Sequence, residues 1–185
     1  AHSKTEYYDE TGELTNSYEY TYTGDAIYAS NCILEIEDTS ITHVYGAAIY
    51  NSNTETILEA VSISDVGSDI SFGGAIYLNY YSMDPIISFD ELTLTGVENV
   101  DGIYITGSTS YTEGSVEMTD IAIGLEDTDG YSGIASDGLY LNNIGSFEIE
   151  GLQIANTGDR GIDISSSTGT IAGQSGDISG IIASA

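Results

Sequence analysis

Short stretches of alternating hydrophobic and polar residues recur along most of this chain, and none is long enough to form a helix. A first motif places an aliphatic residue and a tyrosine after Gly or Asp, and it occurs five times. Its copies are Ile27-Tyr28, Ile49-Tyr50, Ile76-Tyr77, Ile103-Tyr104 and Leu139-Tyr140. The aliphatic positions are 22, 27, 27 and 36 residues apart, and Gly161-Ile162 follows 23 residues later. Recurrence at this period indicates a repeat architecture.

A second motif follows each copy of the first, and a further aliphatic pair such as Leu92/Leu94 follows after a short bend. The second motifs are Leu34 to Glu37, Ile57 to Glu59, Ile87 to Asp90, Val116 to Thr119 and Phe147 to Glu150. Each repeat therefore predicts three short strands separated by Gly, Asn, Asp or Ser corners. One repeat cannot bury its own apolar face, so successive repeats must stack at the strand spacing of about 4.8 Å. We predict an all-β parallel β-helix (β-solenoid) of about six to seven rungs with an N-terminal β-hairpin.

These repeats resemble the right-handed parallel β-helix repeats of pectate-lyase-like proteins. In that family, Gly-Ile-Tyr/Leu strands and Phe-Glu-Ile-x-x-Leu-x-Ile strands alternate with Asn-rich corners. The resemblance extends over residues 24–185, and it alone implies a right-handed coil. Such repeats serve lyases, hydrolases, phage spikes and surface proteins alike, so the resemblance predicts architecture and not activity.

Three segments depart from the repeat. Residues 1–23 predict a β-hairpin with strands from Thr5 to Asp9 and from Leu14 to Tyr22, which either caps the domain at 24–185 or extends as an arm. Residues 124–133 form an insertion, which we interpret as a loop; the alternative is a partial extra rung through Gly133-Ile134-Ala135. The C-terminal stretch is small and glycine-rich, which predicts an uncapped, adhesive strand edge.

Charge restricts the partners of this chain. Its 30 Asp and Glu residues face only Lys4 and Arg160, a formal net charge of −28. Such a chain repels nucleic acid phosphates and anionic lipids, so we expect no nucleic acid partner. No stretch approaches the roughly 18 apolar residues of a membrane span, so we expect no membrane insertion. The first residue is Ala, which favours a secreted chain whose signal peptide has been removed and an extracellular, cell-surface or sheath location.

The residue after each inward aliphatic position should point outward, since alternate residues of a strand face opposite ways. The first motif therefore predicts an exposed tyrosine column. Its members are Tyr28, Tyr50, Tyr77, Tyr104 and Tyr140. This column would stabilise the solenoid, serve as an assembly surface, or bind a sugar ring on a glycan.

The second motif predicts an outward acidic column of Glu37, Glu59, Asp90 and Glu150, interrupted by Thr119. Like charges at strand spacing repel, so Ca²⁺ or another divalent cation is a candidate ligand, although no cofactor is expected to be required. The insertion adds Asp127 and Asp129, which form a fragment of a calcium-loop pattern. Cys32 has no partner in the chain, so it is either an intermolecular disulfide candidate or a small buried thiol.

Catalysis has little support in the sequence. Arg160 is the only basic residue of the predicted solenoid, and one arginine cannot both bind a polyuronate and act as the base. Its expected role is a charge-assisted contact with a nearby carboxylate. The Asn-Thr-Asp, Asp-Asp and Gly-His-Gly motifs of β-helix hydrolases do not occur, and no Ser and His residues suggest a triad. We expect that the protein is not an enzyme.

Two functions remain. The first is a structural protein that self-assembles through strand edges into an extracellular sheath, surface layer or amyloid-like fibre or tube. The combination of length, tyrosine content, acidity and repeat style resembles the tubular-sheath proteins of filamentous methanogenic archaea, which implies a homopolymer that protects the cell. The alternative is a carbohydrate-binding or carbohydrate-cleaving β-helix module that uses the tyrosine column as its platform.

Overall fold

The fold was analysed in a computed structural model. Backbone and side chains are described for residues 24–67, 73–110, 113–125 and 133–173, and the backbone alone for strands at 2–8, 14–21 and 181–184. These parts of the chain contain strands, turns and bends and no helix. Accordingly, they include no helix that is long and apolar enough to cross a membrane.

Nineteen strands occur in the described residues, and most are four to six residues long. In chain order they are β1 (His2–Tyr8), β2 (Leu14–Thr21), β3 (Ile27–Ser30), β4 (Ile33–Glu37), β5 (Ser40–Val44), β6 (Ile49–Ser52), β7 (Glu55–Glu59), β8 (Ser62–Val66), β9 (Gly74–Asn79), β10 (Ile86–Asp90), β11 (Thr93–Val97), β12 (Asp101–Thr106), β13 (Ser115–Thr119), β14 (Ala122–Ile123), β15 (Leu139–Asn142), β16 (Ser146–Ile154), β17 (Ile162–Ser165), β18 (Gly169–Gly173) and β19 (Ile181–Ser184).

Two large parallel sheets contain all of these strands except β1 and β2. The tyrosine sheet has seven strands in the order β19-β17-β15-β12-β9-β6-β3. The second sheet has ten strands in two runs, in which β4, β7, β10, β13, β16 and β18 form the first run and β5, β8, β11, β14 and β16 the second. Each strand pairs with its equivalent in the next repeat.

The sheets curl into a half-barrel, an arrangement compatible with a β-helix. The predicted all-β fold with parallel strands is confirmed. One difference from the sequence prediction is that β16 is continuous, so it joins the two runs of the second sheet into one. Gly151, with φ +68°, occupies the position within β16 at which the other repeats turn.

The register of the sheets places equivalent residues directly beside each other. In the tyrosine sheet Ile49 pairs with Ile76, Ile76 pairs with Ile103 of β12, and Ile103 pairs with Leu139. The first run aligns Leu58, Phe89, Met118 and Ile149 in the same way. All of these side chains are at most 1 % exposed. Because apolar side chains at equivalent positions of successive repeats are buried against each other, they form one continuous hydrophobic core.

Left-handed residues form the corner between the two runs of the second sheet. Asp38, Ala60, Glu91 and Asp120 have φ values between 47° and 53° at equivalent positions, and Gly151 follows in the next repeat. This conformation costs about 1–2 kcal/mol for a residue with a Cβ atom. It recurs at each repeat because the corner must turn the chain within a single residue.

The end of the insertion differs from the predicted loop. Ile134 is 2 % exposed and forms parallel bridges to Val97 and Thr157, so it lies between two repeats of the second sheet. This is the alternative of a partial extra rung, and burial of the isoleucine side chain explains it. Residues 126–132 lie outside the described part of the chain.

The N-terminal strands β1 and β2 pair antiparallel, with His2 opposite Thr21 and Tyr8 opposite Leu14. They form a two-stranded sheet that shares no strand pairing with either parallel sheet. The division into a segment at 1–23 and a domain at 24–185 stays a prediction, as does the choice between a cap and an arm.

A substitution at Gly124 tests whether the repeats stack as tightly as described. It has φ +73°, and a Cβ atom there would lie 1.9 Å from the carbonyl oxygen of Ala155. Gly124→Ala should lower the free energy of unfolding by about 2 kcal/mol or more, through left-handed strain and displacement of the neighbouring backbone. Gly173→Ala is the control, because nothing lies within 4 Å of its added Cβ atom. Equal urea midpoints for the two variants would contradict the described stacking.

Candidate functional site

The five predicted column tyrosines form a stacked ladder on the outer face of the tyrosine sheet. Strand pairing sets Tyr28 beside Tyr50, Tyr50 beside Tyr77, and so on through the ladder to Tyr140. The ring centroids are 5.4, 4.9, 5.2 and 4.5 Å apart along the ladder. Each such pair contributes about 0.5–1.5 kcal/mol beyond its buried area, so the ladder stabilises the sheet that carries it.

Two phenol groups of the ladder, those of Tyr77 and Tyr104, have a pKa above that of free tyrosine. Burial, followed by repulsion from Tyr140 and Tyr77, raises the pKa of Tyr104 to about 12. Burial and repulsion from Tyr50 also raise the pKa of Tyr77. The raised pKa values keep the rings of Tyr77 and Tyr104 neutral through the physiological pH range.

The ladder offers ring edges and hydroxyl groups to its surroundings rather than ring faces. Each inner ring is covered on both faces by its neighbours, whereas Tyr28, at the end of the ladder, is 66 % exposed. A sugar that stacks on an aromatic residue needs a free ring face. This geometry suits lateral packing better than a glycan platform.

The residues of the predicted acidic column also lie beside one another, along the first run of the second sheet. In the first run Glu37 pairs with Glu59, Glu59 with Asp90, Asp90 with Thr119, and Thr119 with Glu150. All five side chains are exposed. A parallel line two residues earlier on each strand was not predicted. It consists of Glu35, Ile57, Ser88, Glu117 and Glu148.

No metal centre is formed by the residues that the structure describes. Among them, no group of three or more His, Cys, Asp or Glu side chains converges on a point that would hold an ion. Asp127 and Asp129 lie outside the described residues. A divalent cation at the acidic columns therefore stays a prediction.

A column of aspartates that the sequence analysis missed lies at the start of the tyrosine-sheet strands. Asp25, Asp101 and Asp137 each precede an inward aliphatic residue by two positions. Each accepts a hydrogen bond from the backbone N–H of the equivalent residue in the next repeat. The donors are Ala47 at 2.9 Å, Asp137 at 3.0 Å and Arg160 at 2.9 Å. The recurring Asp-x-aliphatic pattern carried this signal in the sequence.

Arg160 ends this column and partly neutralises it. Its guanidinium Nη1 donates to Oδ2 of Asp137 at 3.2 Å and to Oδ2 of Asp163, while Nη2 lies 3.6 Å from Asp159. The side chain of Asp137 is 7 % exposed and that of Asp163 is 16 % exposed, whereas that of Asp159 is 63 % exposed. The expected carboxylate contact of Arg160 exists, and its main partners are the two buried aspartates rather than the adjacent one.

Burial is the main influence on the pKa values of the Asp101 and Asp137 carboxyl groups. It raises the pKa of Asp101 and the pKa of Asp137, and the guanidinium of Arg160 opposes both shifts. In turn Asp137, then Asp159 and Asp163, raise the pKa of Arg160 above its usual value. Within this acidic protein Arg160 is a counter-charge to the carboxyl groups around it.

Cys32 lies at the corner between β3 and β4 in the first repeat. It is exposed and forms no disulfide, which disagrees with the alternative of a buried thiol. Its Sγ atom is 3.9 Å from Oγ1 of Thr54. The predicted disulfide between molecules stays a prediction.

A buried polar cluster beside Cys32 is a second feature that the sequence analysis missed. Asn51, Thr54, Thr56 and Tyr80 are at most 1 % exposed. Asn51 Nδ2 donates to Thr56 Oγ1 at 2.8 Å, and Tyr80 Oη donates to the carbonyl oxygen of Thr54 at 2.7 Å. Burial raises the pKa of Tyr80 to about 12. These bonds fix the second repeat against the third in one arrangement.

The two ends of the parallel sheets are incompletely covered. At the first repeat the core-facing Ile27 and Leu34 are half-buried, and at the last repeat Ile164 and Ile171 are half-buried. Strands β3, β4 and β5 each have a neighbour on one side only among the described strands. Edges and apolar side chains of this kind favour pairing with another chain.

Comparison of the chain with protein-family models, curated proteins and solved structures finds no match. The resemblance to pectate-lyase-like repeats and to archaeal sheath proteins therefore rests on repeat pattern and composition alone.

Alkaline titration tests the ladder. A tyrosine whose pKa is higher in the folded state contributes stability that is complete below pH 10 and is lost as pH rises through about 12. Tyrosinate absorbance of the folded protein should show a late phase that includes Tyr80 and Tyr104. Tyr104→Phe should reduce the amplitude of that late phase by one tyrosine. Tyr80→Phe is the matched control, and it should also reduce the amplitude by one tyrosine. If Tyr104→Phe instead reduces the early phase, Tyr104 is not enclosed by its neighbours.

Replacement of Arg160 tests the aspartate cluster. Arg160→Gln leaves Asp137 and Asp163 without their cation, so the melting temperature at neutral pH should fall by several degrees. A carboxyl group with a raised folded pKa is unfavourable above that pKa, and the penalty disappears as pH falls to its ordinary value of 3.8. The deficit of Arg160→Gln should therefore shrink on acidification. Arg160→Lys, which keeps the charge, should lose less, and a deficit that does not change with pH would contradict this account.

Proposed function

We propose that the chain coils as a parallel β-helix whose repeats are its rungs, and that it is a structural protein, not an enzyme. In this proposal copies of the chain assemble through strand edges into an extracellular sheath, surface layer or amyloid-like fibre or tube. Strand pairing between equivalent positions of successive repeats supports the coil. The complete backbone ladder of such a coil makes the assembly resistant to unfolding and proteolysis.

One observation carries the proposal, namely that core-facing apolar side chains are only half-buried at both ends of the described stack. The edge strands of the first repeat have unpaired sides among the described strands, and the core-facing Ile27, Leu34, Ile164 and Ile171 are half-buried. A stacked second copy would pair those edges and bury those side chains. The partner that fits a repeat edge best is another edge with the same period, which is a copy of the chain itself.

The lateral faces suit the same function. The tyrosine ladder is a straight strip of ring edges and hydroxyl groups along the stacking direction, which suits side-by-side packing of polymers. The acidic columns of the first run are exposed and keep the face that carries them hydrated. An outward acidic face on a secreted homopolymer is consistent with a protective layer at the cell surface.

The carbohydrate-binding or carbohydrate-cleaving alternative has less support. The inner ladder rings have no free face, and only Tyr28 is mostly exposed. A cavity of about 530 Å³ is an open depression beside Ile134, and no ladder tyrosine lines it.

Electron microscopy and sedimentation of the protein in its native salt test this proposal. The wild-type chain should form ordered polymers, whereas Ile27→Asp should block them because it places a charge on the half-buried edge of the first repeat. Ile86→Asp is the matched control, since it makes the same change on the side wall, where Ile86 is 43 % exposed. Thermal melts verify that both variants are folded. A wild-type chain that stays monomeric in every condition would overturn self-assembly.

A further inference from the structure

The last strand occupies the open edge of the tyrosine sheet. Strand β19 pairs in parallel with β17, and its register places Ile181 beside Ile162 and Ser184 beside Ser165. Strand β17 is thereby flanked on both sides, by β15 and by β19. The growth edge of this sheet is covered by a four-residue strand of the same chain.

The sequence of β19 nearly repeats that of β3, at the opposite end of the same sheet. Strand β3 reads Ile27-Tyr28-Ala29-Ser30, and β19 reads Ile181-Ile182-Ala183-Ser184, so three of the four positions are identical. The two strands also occupy the same register in their sheet. Ile27 begins the column that runs through Ile162 to Ile181.

We propose that β19 holds the place that β3 of a second copy takes in the polymer. This inference rests on the proposed self-assembly and names its contact. Displacement of β19 lets β3 of the incoming copy pair with β17, so that Ile27 meets Ile162 and Ser30 meets Ser165. Strand β19 then acts as an internal cap that limits assembly of the free monomer.

The neighbouring strand β18 fits β4 of the incoming copy in the same step. The register along the first run continues Leu34 to Gly169 and Ile36 to Ile171. A leucine would thus lie over a glycine, and an isoleucine over the half-buried Ile171. Burial of these apolar groups supplies the driving force for the exchange.

Charge selects the direction of this contact. At the first repeat the outward residues of β4 are Glu35 and Glu37, both exposed, whereas the same columns end on β18 with Thr170 and Ala172. Head-to-tail stacking therefore sets each glutamate over a neutral residue. Head-to-head stacking would set the glutamates of two copies against each other. A head-to-tail contact is heterologous and does not close, so it extends into a filament.

The same geometry constrains Cys32. Six repeats at about 4.8 Å place the Cys32 residues of successive copies about 30 Å apart along the filament. A disulfide requires Cα atoms within about 7 Å of each other. Any disulfide between copies would consequently link filaments side by side.

The first test is a chain that ends at Gly180, compared with the full chain. If β19 leaves the edge in about one molecule in ten, its removal raises the concentration of competent ends about tenfold. The lag before polymerisation, followed by light scattering, should shorten accordingly, with thermal melts confirming a folded monomer. An unchanged or longer lag, or a truncated chain that fails to polymerise, would show that β19 is no cap and would overturn the inference.

The second test uses charge. Thr170→Glu with Ala172→Glu places acids where Glu35 and Glu37 of the next copy must stack, and should abolish or strongly slow polymerisation. The control is Ser88→Glu with Thr119→Glu, which adds the same charge to the interior of the same two columns and should still polymerise. If the end variant polymerises as well as the control, the head-to-tail contact is wrong while self-assembly stands. If no chain polymerises at all, including the wild type, the proposed function itself fails.

Discussion

In-register stacking at one strand spacing is the constraint on which the rest of this structure depends. Each side chain has its equivalent about 4.8 Å away on both sides, so every favourable or unfavourable contact is repeated along the sheet. Isoleucine beside isoleucine builds the core, and tyrosine beside tyrosine builds the ladder. The same rule turns one acidic position into a column of acids.

The chain limits the repulsion within its columns of acidic residues in two ways. In the first run, Thr119, Ile57 and Ser88 interrupt the acidic columns, and the acids that remain are exposed to water and to screening by salt. In the tyrosine sheet, the buried acids are bound instead. Backbone N–H groups of the next repeat donate to Asp101 and Asp137, and Arg160 supplies the only guanidinium of the described residues.

The repeat pattern is sufficient to predict most of the strands, the core columns, the tyrosine column and the first acidic column, because each follows from residue parity within a strand. Tyr104 and Glu59 could be placed from the alternation alone. The contact of Arg160 with Asp137 could not be placed in this way, since Asp137 lies 23 residues away and becomes a neighbour only when β15 and β17 pair.

Two other features could not be predicted from the sequence, for related reasons. Ile134 directly follows the insertion at 124–133, and the length of that insertion hides the return of the chain to the stack between Val97 and Thr157. Asn51 occupies an inward position that is aliphatic in the next repeats, and there its Nδ2 donates to Thr56 while its buried Oδ1 has no hydrogen-bond partner. Sequence parity says where a side chain points, whereas the contacts of an exceptional residue depend on which repeats become neighbours.

The ends follow from the same constraint, because a stack of equivalent units has no intrinsic reason to stop. Fibre diffraction from aligned polymers tests most directly whether the stacking continues from one copy to the next. The account predicts a strong reflection near 4.8 Å along the fibre axis, with the strands perpendicular to it. A 4.8 Å reflection at right angles to the axis would contradict it, because the copies would then join through their side walls.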